Sequence, residues 1–212
     1  MMIGIFTEVF DKGGIDTFIG SLIREWPDRE DNFLVIANWD YPGLPRIASL
    51  AAGRAKFLEH RLPLYPRLMR KGWFSAIPNL FFKYYCLFIN VLKLQRMFKH
   101  IALDDLIVTN GGYPGGDSCR SAAIAWNLAT KLRSIHNVHN LVMPSRPIFS
   151  PLESMVDKAV FSSSRRIIGV SRAVIESFSK RPWLIPRFVG KMTFILNRSE
   201  EHTSELQSRQ VI

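Results

Sequence analysis

The sequence predicts an α/β fold: an open parallel sheet flanked by helices. Two observations carry that prediction. The first 37 residues read as strand, glycine turn, amphipathic helix and strand, a right-handed βαβ unit. Strand-like and helix-like stretches then alternate to the end of the chain, as a parallel sheet with crossover helices requires.

Met2 to Phe10 is a short apolar run rich in β-formers and reads as a buried first strand. Asp11-Lys-Gly-Gly14 breaks it. Ile15, Phe18, Ile19, Leu22, Ile23 and Trp26 then recur at three-and-four spacing, the apolar stripe of a helix that Pro27 stops. Phe33 to Ala37 reads as the second buried strand. Residues 41–79 carry Pro42, Pro45, Pro63, Pro66 and Pro78, so short helices at most are expected there. Leu80 to Phe98 is a strongly apolar helix, interrupted by Lys83, Lys93 and Arg96 and short of a membrane span.

Leu106 to Thr109 is a third strand, running into Asn110-Gly-Gly-Tyr-Pro-Gly-Gly116. Asp117 or Ser118 is placed to cap a helix through Leu132. Ser134 to Asn137 reads as a strand end, and Pro151 to Val160 as a helix with proline in its first turn. Arg166 to Ser171 is a strand followed by a helix from Arg172 to Ser179, and Met192 to Leu196 is the last strand.

Composition narrows the function classes. The chain has 212 residues, 47% of them hydrophobic, which excludes a disordered protein. Its two cysteines, Cys86 and Cys119, are too few for a disulfide framework or a zinc site, which points to a reducing, cytoplasmic compartment. The first ten residues lack the basic start of a signal peptide. The net charge of +10 is concentrated: residues 41–103 hold eleven basic groups against Glu59 alone. Within that stretch Arg67, Arg70, Lys71, Trp73 and Phe74 set cations beside aromatic rings. That combination suits an anionic membrane surface and a peripheral location; the alternative is a core with a solvated cationic face. No nucleic-acid module is readable, so no nucleic-acid partner is expected.

Ligands of open α/β sheets collect where loops leave the carboxyl ends of the strands. Gly13 and Gly14 stand at such a point, where bare backbone and a helix start can meet a phosphate; a tight turn without a ligand is the alternative. Asn110, Gly111, Gly112 and Tyr113 open a loop with four glycines in seven residues, which can pass close to a sugar or serve only as a turn. His136 ends an apparent strand, with His139 and Asn140 close behind, and can hydrogen-bond a hydroxyl or exchange a proton near neutral pH. A structural histidine is the competing reading. The two histidines lack a third ligand of fitting type nearby, so no metal is expected.

In their order along the chain these features resemble the N-terminal domain of a GT-B glycosyltransferase, of the large retaining family 4 group. The resemblance rests on Gly13-Gly14 before the first long helix, Ser-Ile-His136-Asn137, Arg166-Ile-Ile-Gly-Val-Ser171-Arg-Ala-Val-Ile-Glu-Ser177, and Lys191-Met-Thr-Phe-Ile-Leu-Asn197. It covers most of residues 2–197 and is weakest over 41–103. It implies a Rossmann-like domain over 1–197 on the acceptor side of a two-domain enzyme. It further implies transfer of a sugar from a nucleotide-sugar donor, with retention of configuration, in cell-envelope glycan or polysaccharide synthesis. The donor is a co-substrate, with no other cofactor and no metal. Under the resemblance Gly13 and Gly14 bind the donor diphosphate, His136 is the catalytic histidine, and Asn110 to Tyr113 face the acceptor.

Residues 198–212 differ from everything before them. Arg198-Ser-Glu-Glu-His-Thr-Ser-Glu-Leu-Gln-Ser208 resembles the in-frame translation of a sequencing-library adapter, so a non-native tail is expected there. The natural reading frame is then expected to continue beyond Asn197 into a second domain, without which the fragment is inactive. The reading from a different class is a non-catalytic α/β binding module, or a membrane-associated scaffold using residues 41–103.

Overall fold

The computed structural model describes residues 1–64, 76–145 and 147–196. Seven strands form one parallel sheet: β1 (Met2–Thr7), β2 (Asn32–Asn38), β3 (Ala55–His60), β4 (Asp105–Asn110), β5 (Ser134–Val138), β6 (Ser164–Gly169) and β7 (Met192–Phe194). Their order across the sheet is β3-β2-β1-β4-β5-β6-β7. The helices are α1 (Gly14–Arg24), α2 (Leu44–Leu50), α3 (Ala76–His100), α4 (Asp117–Thr130), α5 (Ser150–Ser163), α6 (Arg172–Glu176) and α7 (Ile185–Phe188). The expected open parallel α/β sheet is the one observed.

Alternation along the strands sends successive side chains to opposite faces. On one face Ile3 and Ile5 of β1, Phe33 and Val35 of β2 and Ile107 of β4 pack with Ile19 and Ile23 of α1 and Ile47 of α2. On the other, Phe6, Leu106, Val108, Val138 and Ile167 meet Leu94 and Phe98 of α3, Ala122 and Trp126 of α4 and Phe161 of α5. Helix α4 is buried on nearly every side, which is why its sequence is Ser-Cys-Arg-Ser-Ala-Ala rather than an amphipathic stripe.

Three local expectations are corrected. Strand β3 lies inside the proline-punctuated stretch where only short helices were expected. It is an edge strand with one neighbour, its Lys56 and Glu59 lie exposed, and so it lacks the apolar run of its companions. Helix α4 is preceded by Gly116 at φ +67°, so Asp117 and Ser118 lie in its first turn and neither is the cap. The capping acceptor comes from far away in sequence: Glu8 Oε2 accepts the Ser118 N–H at 2.8 Å and the Ser118 hydroxyl as well. Strand β5 runs one residue beyond Asn137, because Val138 is paired with Asn110 on one side and Gly169 on the other.

The expected tail, residues 198–212, lies outside the described residues, as do Arg67, Arg70, Lys71, Trp73 and Phe74.

Candidate functional site

Connections leave β1 toward β2 and β3 on one side, and β4 toward β5, β6 and β7 on the other. Between β1 and β4 the loops therefore diverge, and their carboxyl ends open a crevice where such sheets take ligands. Three segments meet there. The start of α1 touches the loop after β4, since a methyl built on Gly111 stands 3.3 Å from Ile15 Cδ1. The loop after β5 touches both: the His139 N–H donates to the Asn110 carbonyl at 3.0 Å, and the His139 ring stands edge-on to Phe18 of α1 with centroids 4.5 Å apart.

Gly13 and Gly14 lie exposed at the lip of this crevice. Gly13 precedes α1 with extended backbone, and its N–H donates to Asp16 Oδ2 at 3.0 Å. Asp16 is fully buried beneath and also accepts the Tyr41 hydroxyl. Burial and this carboxylate together push the Tyr41 phenol well above its ordinary range. A side-chain carbon added at either glycine would meet nothing within 4 Å.

The loop after β4 is built differently. Asn110 is buried; its Nδ2 donates to the Gly115 carbonyl and its Oδ1 accepts the Gly112 N–H at 3.3 Å. Tyr113 is buried as well, with its ring against Phe178 and Phe161 and its hydroxyl donating to Asp157 Oδ1 at 2.8 Å. Of the four residues expected to face an acceptor, Asn110 and Tyr113 thus bond inward. Gly111 and Gly112 remain partly exposed beside α1 and Asn140.

Behind Tyr113 lies a buried ionic cluster that no stretch of sequence announces. Arg181 Nη1 donates to Asp157 Oδ2 at 2.6 Å and Glu153 Oε2 at 3.0 Å, and Trp183 Nε1 donates to Asp157 Oδ2 at 3.0 Å. Arg120 donates to Glu153 Oε2 at 3.0 Å and to Asp117, and Lys83 Nζ to Glu153 Oε1 at 2.8 Å. The three cations match three carboxylates. Burial alone raises the Glu153 pKa, but Arg120, Lys83 and Arg181 outweigh it and hold the carboxyl far below its usual range.

His136 sits in the middle of β5, fully buried, with its ring edge-on to Tyr113 at 6.1 Å. Neither ring nitrogen hydrogen-bonds another described residue. Burial, helped by the charge of Arg120, lowers its pKa to about 4. His139 lies one residue past the strand, at its carboxyl end and on the side of α1; burial lowers its pKa to about 4 also. Both imidazoles are neutral near pH 7, suited to hydrogen bonding rather than to attracting phosphate by charge. Alternation explains the pair: His136 and Val138 point toward α4, whereas the next position past the strand turns to the α1 side. The sequence sets His139 close behind His136 at a strand end; where the strand stops decides which side of the sheet each imidazole takes.

Glu8 is a residue that sequence reasoning missed. It follows β1 directly and is 7% exposed, and burial raises its pKa while the Ser118 hydroxyl and N–H partly offset the rise. Among the described residues no group of acidic, histidine or cysteine side chains could hold a metal ion, and no helix is long and apolar enough to cross a membrane.

No family profile matches the chain, and no curated protein matches it in sequence. Solved structures do resemble it. A UDP-N-acetylglucosamine 2-epimerase superposes with a TM-score of 0.55 at 10% identity, over 92% of this chain and 47% of its own. A protein from Listeria monocytogenes assigned the same activity gives 0.50 at 9% identity, over 91% and 44%. An O-GlcNAc transferase from Thermobaculum terrenum gives 0.40 at 9% identity, over 94% and 45%. The chain spans about half the length of these proteins. What it shares with the two epimerase structures is the fold, a parallel Rossmann-like sheet between helical layers.

Proposed function

We propose that this chain is the N-terminal, acceptor-side half of a GT-B sugar-nucleotide enzyme, and that the complete enzyme is a retaining glycosyltransferase. The observation that carries the reading is the pair of exposed glycines, Gly13 and Gly14, at the lip of the β1/β4 crevice, where no neighbour requires a missing side chain. Bare backbone at a helix start is what a donor diphosphate needs for close approach. The order of motifs along the chain supports a transferase of the family 4 type. The fold shared with two sugar-nucleotide epimerases supports the broader class.

In this proposal the diphosphate lies against Gly13 and Gly14, and the backbone of Gly111 and Gly112 borders the acceptor. Two histidines divide the work: His139 meets the ligand at the strand's end, and His136 holds Tyr113 and its loop from below. The nucleotide is bound chiefly by a second domain, so the 212-residue chain turns over no donor by itself. Cell-envelope glycan or polysaccharide synthesis at the cytoplasmic membrane face is the proposed setting.

The test is donor turnover by the complete gene product over a panel of nucleotide-sugars, with the anomeric configuration of the product read by NMR. Transfer with retention is expected, and His139→Ala is expected to reduce kcat by roughly a hundredfold or more. Turnover by the 212-residue chain alone would refute the division of labour between domains. Full activity in both His139→Ala and His136→Ala would refute the site.

A further inference from the structure

Helix α3 buries one face and leaves the other without a partner among the described residues. Cys86, Leu87, Asn90, Val91, Leu94 and Phe98 point inward against α4 and the sheet. On the opposite side Phe81 is 70% exposed, Tyr85 59%, Phe88 59% and Leu92 38%. These positions follow three-and-four spacing, so they form one stripe, and the same stripe continues into Arg96 and Lys99, both exposed. Lys93 lies exposed beside it. The helix therefore presents rings along its first half and cations along its second.

Charge identifies the occupant. Residues 76–100 contain no Asp or Glu. The neighbouring helix α5 adds exposed Leu152, Met155 and Lys158. Its one carboxylate near the stripe, Glu153, is buried and paired with Lys83 and Tyr84 of α3. Past the end of the helix, Asp104 accepts the Met2 N–H and Asp105 is paired with Arg165. A protein partner docking on large apolar residues generally meets charges of both signs at the rim. Of these carboxylates only Asp104 is exposed, and it lies beyond the helix end on the Met2 N–H, so the stripe itself is rings and cations, which matches an interface of acyl chains topped by anionic headgroups.

We infer that the exposed face of α3 is a docking surface for an anionic phospholipid bilayer, with Phe81, Tyr85 and Phe88 inserting shallowly and Lys93, Arg96 and Lys99 meeting headgroups. The helix, about 37 Å long at its 25 residues, lies in the interface plane. Because α3 ends where β4 begins, its aromatic half lies toward the carboxyl edge of the sheet, the end that carries the crevice. This inference stands whether or not the crevice binds a sugar nucleotide.

The 212-residue chain is mixed with vesicles of phosphatidylcholine, with or without phosphatidylglycerol, and sedimented. Binding is expected only where phosphatidylglycerol is present, and it falls as salt is raised. Replacing Lys93, Arg96 and Lys99 with Gln is expected to weaken it roughly a hundredfold, at about fivefold per cation. Phe81→Ser, Tyr85→Ser and Phe88→Ser together are expected to abolish the fraction that survives high salt, with far-UV dichroism unchanged because all three side chains lie exposed. Equal binding to both vesicle compositions, or no binding, overturns the inference. So does a concentration-dependent dimer that the triple Ser variant dissolves, since the occupant would then be a second copy of the chain.

Discussion

The two loops that flank the crevice are both rich in glycine, and they use it in opposite ways. After β1, Gly13 and Gly14 lie exposed, and added side chains there would touch nothing. After β4, Gly116 sits at φ +67°, where an added carbon would stand 2.9 Å from Asn110 Oδ1 and 3.1 Å from Cys119 Sγ. Asn110 ties the same loop across itself, and Tyr113 anchors it to Asp157. The loop with more glycines is thus the one whose shape is fixed from within, and the sparser pair is the one left bare. Glycine density marks a tight path for the backbone; only the surroundings say whether that path serves the fold or a ligand.

That contrast is broken most severely at Asp157. Its carboxylate accepts from Tyr113, Arg181 and Trp183, all within a buried region. Asp157→Ala leaves the Arg181 guanidinium short of a counter-charge and two further donors unpaired. A loss of about 3–5 kcal/mol in unfolding free energy is expected, measured by urea denaturation. Asp157→Asn keeps an acceptor and is expected to cost less. A loss under about 1 kcal/mol for Asp157→Ala would mean that the cluster does not hold the β4 loop.

This cluster also shows where sequence stops being informative. Lys83, Asp117, Arg120, Glu153, Asp157 and Arg181 spread over almost half the chain, and each alone reads as a surface charge, since such residues are rarely buried unless paired. Their pairing is a product of topology. The inner strands were legible because both their faces are covered, and the edge strand β7 from its apolar run despite its exposure, whereas β3 was hidden by the Lys56 and Glu59 that an edge strand tolerates. At the site, Gly13 and Gly14 were legible as a turn before a helix. Which side of the sheet each of His136 and His139 takes was not, because it depends on where β5 stops, and Asn110 and Gly169 on the neighbouring strands decide that.

A smaller effect is expected at Gly116. An alanine there must hold a left-handed backbone while its methyl crowds Asn110 Oδ1 and Cys119 Sγ. Gly116→Ala is expected to cost about 1–3 kcal/mol by urea denaturation. An unchanged midpoint would show that the loop can take another path into α4, and its distinction from the β1 loop would then disappear.

The smallest stability effect and the most telling comparison belong to Gly14. It opens α1, it lacks the left-handed φ that would demand glycine, and nothing lies within 4 Å of an added carbon. Alanine is the better helix former, so Gly14→Ala is expected to leave the unfolding free energy within about 0.5 kcal/mol of the parent or slightly above it. If the bare backbone exists for a diphosphate, the same methyl stands where the ligand must approach, and the complete protein is expected to bind its nucleotide-sugar at least tenfold more weakly by calorimetry. Stability and affinity then move apart, which a packing role cannot produce. Unchanged affinity in Gly14→Ala would make the β1 loop an ordinary turn, and the crevice would lose the one feature that separates it from any other open sheet edge.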